Sequence, residues 1–269
     1  QWTRILFGNK SSPNISQKAL RKICQAYEEA YPTAVACIIA WCYMDDAIAS
    51  KEDESELRQL AKELPELLKH ADMNITKFYT NSKEALDVLP PDRIAKEIQQ
   101  FSDKDAIFES NKVLGMVWDA STDELKFNSK CKSIEDWLKK FNFKEWTKRM
   151  VLRTTASTYD PLGLIAPLTV HARAVIQRLW TLELDWDTKI PEDMTTLWLR
   201  ALENLVNINE IRVPRWIGCH SADQRELHIF CDASELVYAC TAFMVVNSGG
   251  ERSSGLICAK GRVAPIKSE

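Results

Sequence analysis

Apolar residues recur at Ile15, Ala19, Ile23 and Ala26, the three- and four-residue spacing of one helix face. Ser12 and Pro13 supply an N-cap and a first-turn proline, so the spacing predicts a helix to about Ala30, with Pro32 marking its end. The pattern then changes. Residues 35–49 are apolar almost throughout, broken only at Met44-Asp45-Asp46, and predict two buried strands folded back with the acids at the hairpin tip. Leu57, Leu60, Leu64, Leu67 and Leu68 form the stripe of a second helix starting near Asp53 or Ser55, expected to pack on the hairpin's sheet. From Met73 to Tyr79, Ile75, Lys77 and Tyr79 alternate with Thr76 and Phe78, which predicts a further strand.

Residues 83–110 are polar and weakly patterned, after which "KVLGMVWDASTDELKF" (112–127) predicts two strands joined by a turn at Asp119 to Asp123. From about Ser133 to Leu205 the pattern is helical, interrupted at residues 159–167 by the corner "YDPLGLIAP". That corner separates a basic helix (Lys144, Lys148, Arg149, Arg153) from an apolar one at Val170 to Leu182. Trp137, Trp146, Trp180, Trp186 and Trp198 recur here and are expected to serve core packing more than base stacking. Pro214 closes the region. "ELHIFCDAS", "YACTAFMVV" and "SSGLICAKGRV" then predict a three-stranded antiparallel meander from about residue 226, with nothing after it to pack against.

A chain of 269 residues with 45% hydrophobic content can bury a sizeable core. The formal net charge of -3 argues against a whole-chain electrostatic grip on nucleic acid. Eight cysteines without a C-x-x-C pair fit a reduced, intracellular protein, and the longest apolar runs are too short to span a bilayer. The first residue is Gln1, running straight into "WTRILFG", and suggests a piece of a longer translation product.

Asp45 and Asp46 are the chemical question. Carboxylates between buried flanks need a positive partner, and two adjacent acids at a hairpin tip suit hard divalent cations such as Mg²⁺, which take oxygen ligands and leave positions for phosphates. Two such ions can serve an in-line phosphoryl displacement.

"YMDD" in this apolar setting resembles motif C of reverse transcriptases, and "LFGNKSSP" (residues 6–13) resembles their motif B. "ITKFYTNS", "KVLGMVWD", the stretch from Thr147 to Trp180, "ELHIFCDAS" and "AKGRVAPIK" resemble, in order, the polyprotein of BEL/Pao-type LTR retrotransposons. The "DPLGL-x-x-P" corner and the terminal "AK-x-RVAP" are the most diagnostic pieces. The resemblance implies an α+β fold: the C-terminal part of a reverse-transcriptase palm at 1–90, a primer-grip hairpin with thumb and connection helices at 91–220, and the opening strands of an RNase H-like domain at 221–269. It implies that Asp45, Asp46 and Asp232 are catalytic, metal-binding carboxylates. Tyr43 and Met44 would lie against the primer end, Phe7 and Gly8 would shape the nucleotide pocket, and Leu114 and Gly115 would belong to the primer grip. The implied cofactor is Mg²⁺ or Mn²⁺, and the implied partners are an RNA/DNA template-primer and dNTPs, with no membrane. The implied location is cytoplasmic, in a virus-like particle, not secreted.

Departures and rivals accompany this resemblance. The third palm carboxylate is expected before residue 1 and the remaining RNase H acids after residue 269, so the isolated chain is expected to be inactive. Asp72-Met73 stands where the family shows Gly-Phe, Phe78 where it shows Trp, and Met44 where Val is commoner. A domesticated, non-catalytic scaffold for nucleic acid or protein is one alternative. Another is the aspartic-peptidase label often given to this region, but "DAS" and "DTK" lack the Asp-Thr-Gly or Asp-Ser-Gly which that chemistry needs. Cys219, His220, His228 and Cys231 match no standard zinc spacing.

Overall fold

The computed structural model describes residues 8–43, 46–75, 77–95, 112–113, 116–127, 145–220 and 223–266. Two compact units divide the chain, residues 1–106 and residues 107–269.

In the first unit, α1 (Ser12–Ala26) has Pro13 in its first turn and buries Leu20 and Cys24. The next element corrects the sequence reading: residues 32–41 are helix α2 (Pro32–Trp41), not a strand. Pro32 opens this helix instead of only ending the previous one. A continuous apolar run has no period of its own to choose between strand and helix, and here Ala34, Val35, Cys37 and Ile38 are buried while Ile39 and Trp41 are 65% and 59% exposed. That is a helical stripe. Only β1 (Cys42–Tyr43) and β2 (Asp46–Ala47) remain of the expected hairpin, paired Cys42 to Ala47 and Tyr43 to Asp46.

Helix α3 (Glu54–Lys69) forms as expected, capped by Asp53, whose Oδ1 accepts a hydrogen bond from the Ser55 amide at 2.8 Å. It packs on helix α2 rather than on a sheet, burying Leu60, Leu64 and Leu67 in one cluster with Val35 and Ile38. Glu63 lies within this interface. Its carboxylate accepts from the Ala34 amide in the first turn of α2 (3.0 Å) and from Gln59 Nε2 (2.8 Å), so a charge that would be costly to bury alone is held at a helix N-terminus. The strand expected at 73–79 reduces to an isolated parallel bridge, Phe78 to Ile94. Alternation alone does not make a strand without a neighbouring ladder. The short helix α4 (Lys83–Leu86) follows, capped by Ser82.

The second unit opens with the expected hairpin, β3 (Lys112–Val113), β4 (Met116–Asp119) and β5 (Glu124–Lys126), extended by β6 (Arg212–Pro214) into an antiparallel sheet in the order β3-β4-β5-β6. Asp123 turns the chain with φ of 54°. It also receives a bidentate hydrogen bond from Arg215 (2.6 and 2.8 Å) and one from Trp118 Nε1 (2.9 Å), pinning β6 to a hairpin far away in sequence.

Asp119 is 4% exposed. Burial alone would raise its carboxyl, but the Lys126 ammonium and the Ser121 hydroxyl and amide outweigh that and hold it at about 2. A carboxyl depressed on folding contributes stability that is fully present above its ordinary unfolded value and is lost as pH falls toward the folded one. The stability difference between the native chain and Asp119→Asn is therefore expected to shrink by about 2 kcal/mol as pH drops from 5 to 2. Urea unfolding at each pH measures it, and a pH-independent difference contradicts the assignment.

Among the described residues, three helices fill the middle: α5 (Lys148–Ala156), α6 (Ala166–Thr181) and α7 (Glu192–Asn207). Trp146 and Trp198 meet edge to face at 5.5 Å in a core with Val151, Leu179 and Leu202. These two tryptophans are core residues, as the sequence suggests. Trp180 and Trp186 are about half exposed and meet edge to face at 5.3 Å, while Trp137 lies outside the described residues. The basic helix is not a row of free cations. Lys148 is 7% exposed, donates to the Leu184 carbonyl (3.3 Å) and lies 3.9 Å from the Trp180 ring centre. Arg149 pairs with Asp187 through two bonds, and Lys144 lies outside the described residues.

The meander forms as expected: β7 (Gln224–Ala233), β8 (Val237–Ser248) and β9 (Glu251–Val263), antiparallel in that order. Gly249 and Gly250, both at positive φ, make the tight β8–β9 turn. The expectation that nothing packs against it is corrected. Helix α6 and the corner before it run along β9: the Ala259 amide donates to the Leu162 carbonyl (2.7 Å), Gln177 to the Ala264 carbonyl (2.6 Å) and Arg173 to the Gly261 carbonyl (3.4 Å). These bonds cross the expected edge at residue 221.

Candidate functional site

Asp46 sits on β2 opposite Tyr43 and is exposed. The premise that this acid is buried and must meet a positive group is therefore corrected: α2 takes the apolar run into its own core, and Asp46 is left in solvent. Phe7, Met44, Asp45, Leu114 and Gly115 lie outside the described residues. Of Tyr43, the backbone pairing is described. Gly8 has φ of 87°, and a Cβ there would meet nothing within 4 Å, so the need for glycine is the left-handed backbone rather than a close approach.

Asp232 lies near the end of β7, exposed and facing Ala239 across the ladder. Its carboxylate makes no ion pair or hydrogen bond with another described residue. It borders an open hollow of about 600 Å³ that Cys231, Tyr238, Cys240, Lys260 and Arg262 also line. Strand pairing sorts these residues by rung: Asp232 pairs with Ala239, Cys231 with Cys240 and Ala233 with Tyr238, and β9 places Lys260 opposite Cys240 and Arg262 opposite Tyr238. Lys260 and Arg262 share the face of Cys240 and Tyr238, whereas Asp232, paired through Ala239 to Gly261, lies on the alternate face of the sheet. From sequence, Cys231 stands out only as a conceivable zinc ligand, and Cys240, Lys260 and Arg262 do not stand out at all. Their spacing in the chain carries no signal until the register sets them side by side.

The Cys240 thiol is pushed up by its hydrogen bond with the Cys231 thiol, by burial, and by the neighbouring Cys231 and Cys258 sulfurs. The conceivable zinc ligands separate: the Cys219 thiol contacts the His220 carbonyl, the His220 ring meets Trp216, and His228 bonds Glu226. Among the described residues, no three His, Cys, Asp or Glu side chains converge to hold a metal ion, and no helix is long and apolar enough to cross a membrane.

The helices α5 to α7, the strand β6 and the meander together coincide with one family model. Residues 147–269 match the Pao retrotransposon-like RNaseH-like domain. No curated protein and no solved structure matches the chain. The Pao-like match supports a Pao-type retrotransposon polyprotein as the source, and the mixed helices and antiparallel sheets are compatible with an RNase H-like domain. It begins at Thr147, so the helices expected as a connection are matched together with the strands they pack against. Asp232 and its hollow lie inside the Pao-like segment.

Proposed function

We propose that this chain is the stretch of a Pao-type retrotransposon polyprotein that runs from the palm of an RNA-directed DNA polymerase into an RNase H-like nuclease domain. One observation carries the nuclease reading: Asp232 presents an exposed carboxylate, without an ion-pair partner among the described residues, on the first strand of the meander in the segment that matches the Pao RNaseH-like model. "YMDD", with Asp46 exposed on a short hairpin, supports the polymerase reading.

Asp46 and Asp232 are each available as one oxygen ligand, and the described residues supply no complete ligand set around either. Asp45 and Asp46 would hold Mg²⁺ or Mn²⁺ in the palm, and Asp232 would contribute to the nuclease site. Mg²⁺ bound there would help activate the attacking oxygen and offset charge on the phosphate. The substrates in the parent polyprotein are a template-primer, dNTPs and the RNA strand of a hybrid.

Primer extension by the parent polyprotein tests the polymerase half. Native protein extends an RNA-templated primer in Mg²⁺, and Asp45→Asn is expected to lose extension while still binding the duplex. Unchanged extension by that variant removes Asp45 from the active site.

A further inference from the structure

Cys231 and Cys240 are directly opposed on β7 and β8. The turn fixes what kind of pair they make. The Ser234 amide donates to the Val237 carbonyl at 2.8 Å, which makes Ser234 and Val237 a hydrogen-bonded pair. Counting back along the ladder, Asp232 and Ala239 are again hydrogen-bonded, and Cys231 and Cys240 fall on the non-hydrogen-bonded position. Such positions bring Cα atoms to about 4.5 Å and the side chains closest together, within the span of roughly 4.4–6.8 Å that a disulfide bridges. The Cys231 thiol is close enough to be the first cause that pushes the Cys240 thiol up. Cys258 lies on the same face but pairs with Ala242, one step along the ladder from Cys240, and diagonal neighbours stand about 7–8 Å apart. Cys231 is exposed and Cys240 partly so, which leaves the pair open to a small oxidant, and no third ligand converges to make it a metal site among the described residues.

We propose that Cys231 and Cys240 are a redox-modification site, closing reversibly into a cross-strand disulfide that locks β7 to β8 around Asp232. A small disulfide such as oxidised glutathione supplies the oxidising equivalents. The Cys231 sulfur, as thiolate, attacks one sulfur of the oxidant and releases one glutathione thiolate. Cys240 gives its proton to solvent, and its sulfur then displaces the second glutathione thiolate from Cys231. Two protein thiols become one disulfide, and the oxidant is reduced to two thiols. An exposed bridge of this kind is readily reduced again. The lock has a physical purpose, because β7 pairs with β8 alone among the described strands and exposes Leu227 and Ile229, at 57% and 58%, on the same face as Cys231. A strand held by one ladder frays, and a bridge suppresses that opening.

The full chain, treated with oxidised glutathione and alkylated, is cut with a protease that cleaves after Glu235, between the two cysteines. The expected product is one linked peptide pair lighter by two hydrogens, separated by reductant, with amide exchange in 224–233 slowed about tenfold. Cys240→Ser is expected to retain a glutathione adduct on Cys231, and Cys258→Ser to close at the native rate. Circular dichroism confirms that each variant keeps its sheet. A dominant Cys240–Cys258 bridge, a bridge between two chains, or two freely alkylated thiols in a folded, oxidant-treated chain each overturns the proposal. Because the readout is covalent, its failure is independent of the nuclease reading.

Discussion

Asp232→Asn is expected to lower RNA/DNA hybrid cleavage by the parent polyprotein by about a hundredfold or more while leaving the β-meander folded. The two halves of that result rest on different facts. Asp232 is exposed and makes no ion pair or hydrogen bond with another described residue, so an isosteric amide breaks no contact and its stability cost falls within the roughly 0.5 kcal/mol of ordinary surface changes. Under the proposed function, the loss of one negative oxygen ligand weakens the hold on a hard cation at the reacting phosphate. Initial cleavage rates on a labelled hybrid, together with thermal unfolding of the same preparations, separate the outcomes. Native cleavage by Asp232→Asn removes the residue from the active site, and a large drop in unfolding temperature would instead give it a structural role.

Gly163→Ala is expected to destabilise residues 107–269 by about 3–5 kcal/mol, near the top of the range for one substitution. Gly163 sits in the "DPLGL" corner with φ of 73°, a backbone that an L-residue adopts only at a cost. More decisively, a Cβ there would lie 1.8 Å from the Ala259 carbonyl oxygen and 2.6 Å from its carbon. Both obstacles are backbone atoms of β9, held by the Ala259 amide bond to the Leu162 carbonyl, so neither can rotate away. Either the corner or β9 must move, and with it the Asp160 carboxylate that receives the Leu164 and Ile165 amides at 2.9 and 3.0 Å ahead of α6. Gly218→Ala is the matched control: it has the same φ of 73°, but its nearest atom is the Ser253 hydroxyl at 3.8 Å, so only the backbone cost of about 1 kcal/mol applies. Urea unfolding of the two variants, with amide exchange at Ala259, measures the difference. Equal losses would mean that the corner does not carry β9.

Periodicity with a partner nearby was legible from sequence alone. The Leu57 to Leu68 stripe with its Asp53 cap, the hairpin at residues 112–127 and the alternating strands closed by Gly249-Gly250 all form where the pattern puts them, because their hydrogen bonds and caps are local. The placement of Asp232 on the first strand of the meander was legible for the same reason. Tertiary structure decided the rest. The run from Val35 to Cys42 has too little polar content to mark a face, so packing against α3 chose the helix and left Asp46 in solvent. Thr76 lies outside the described residues, and around it only Phe78 finds a bridge, since alternation becomes a strand only where a second backbone offers its donors and acceptors. Glu63 and Lys148 read as ordinary surface charges in sequence. Their burial depends on an amide at the start of α2 and on the Leu184 carbonyl and Trp180 ring, partners that chain spacing does not reveal. Gly163 and Ala259, the contact that ties the helices to the meander, lie almost a hundred residues apart, and only the folded chain makes one of them an obligatory glycine.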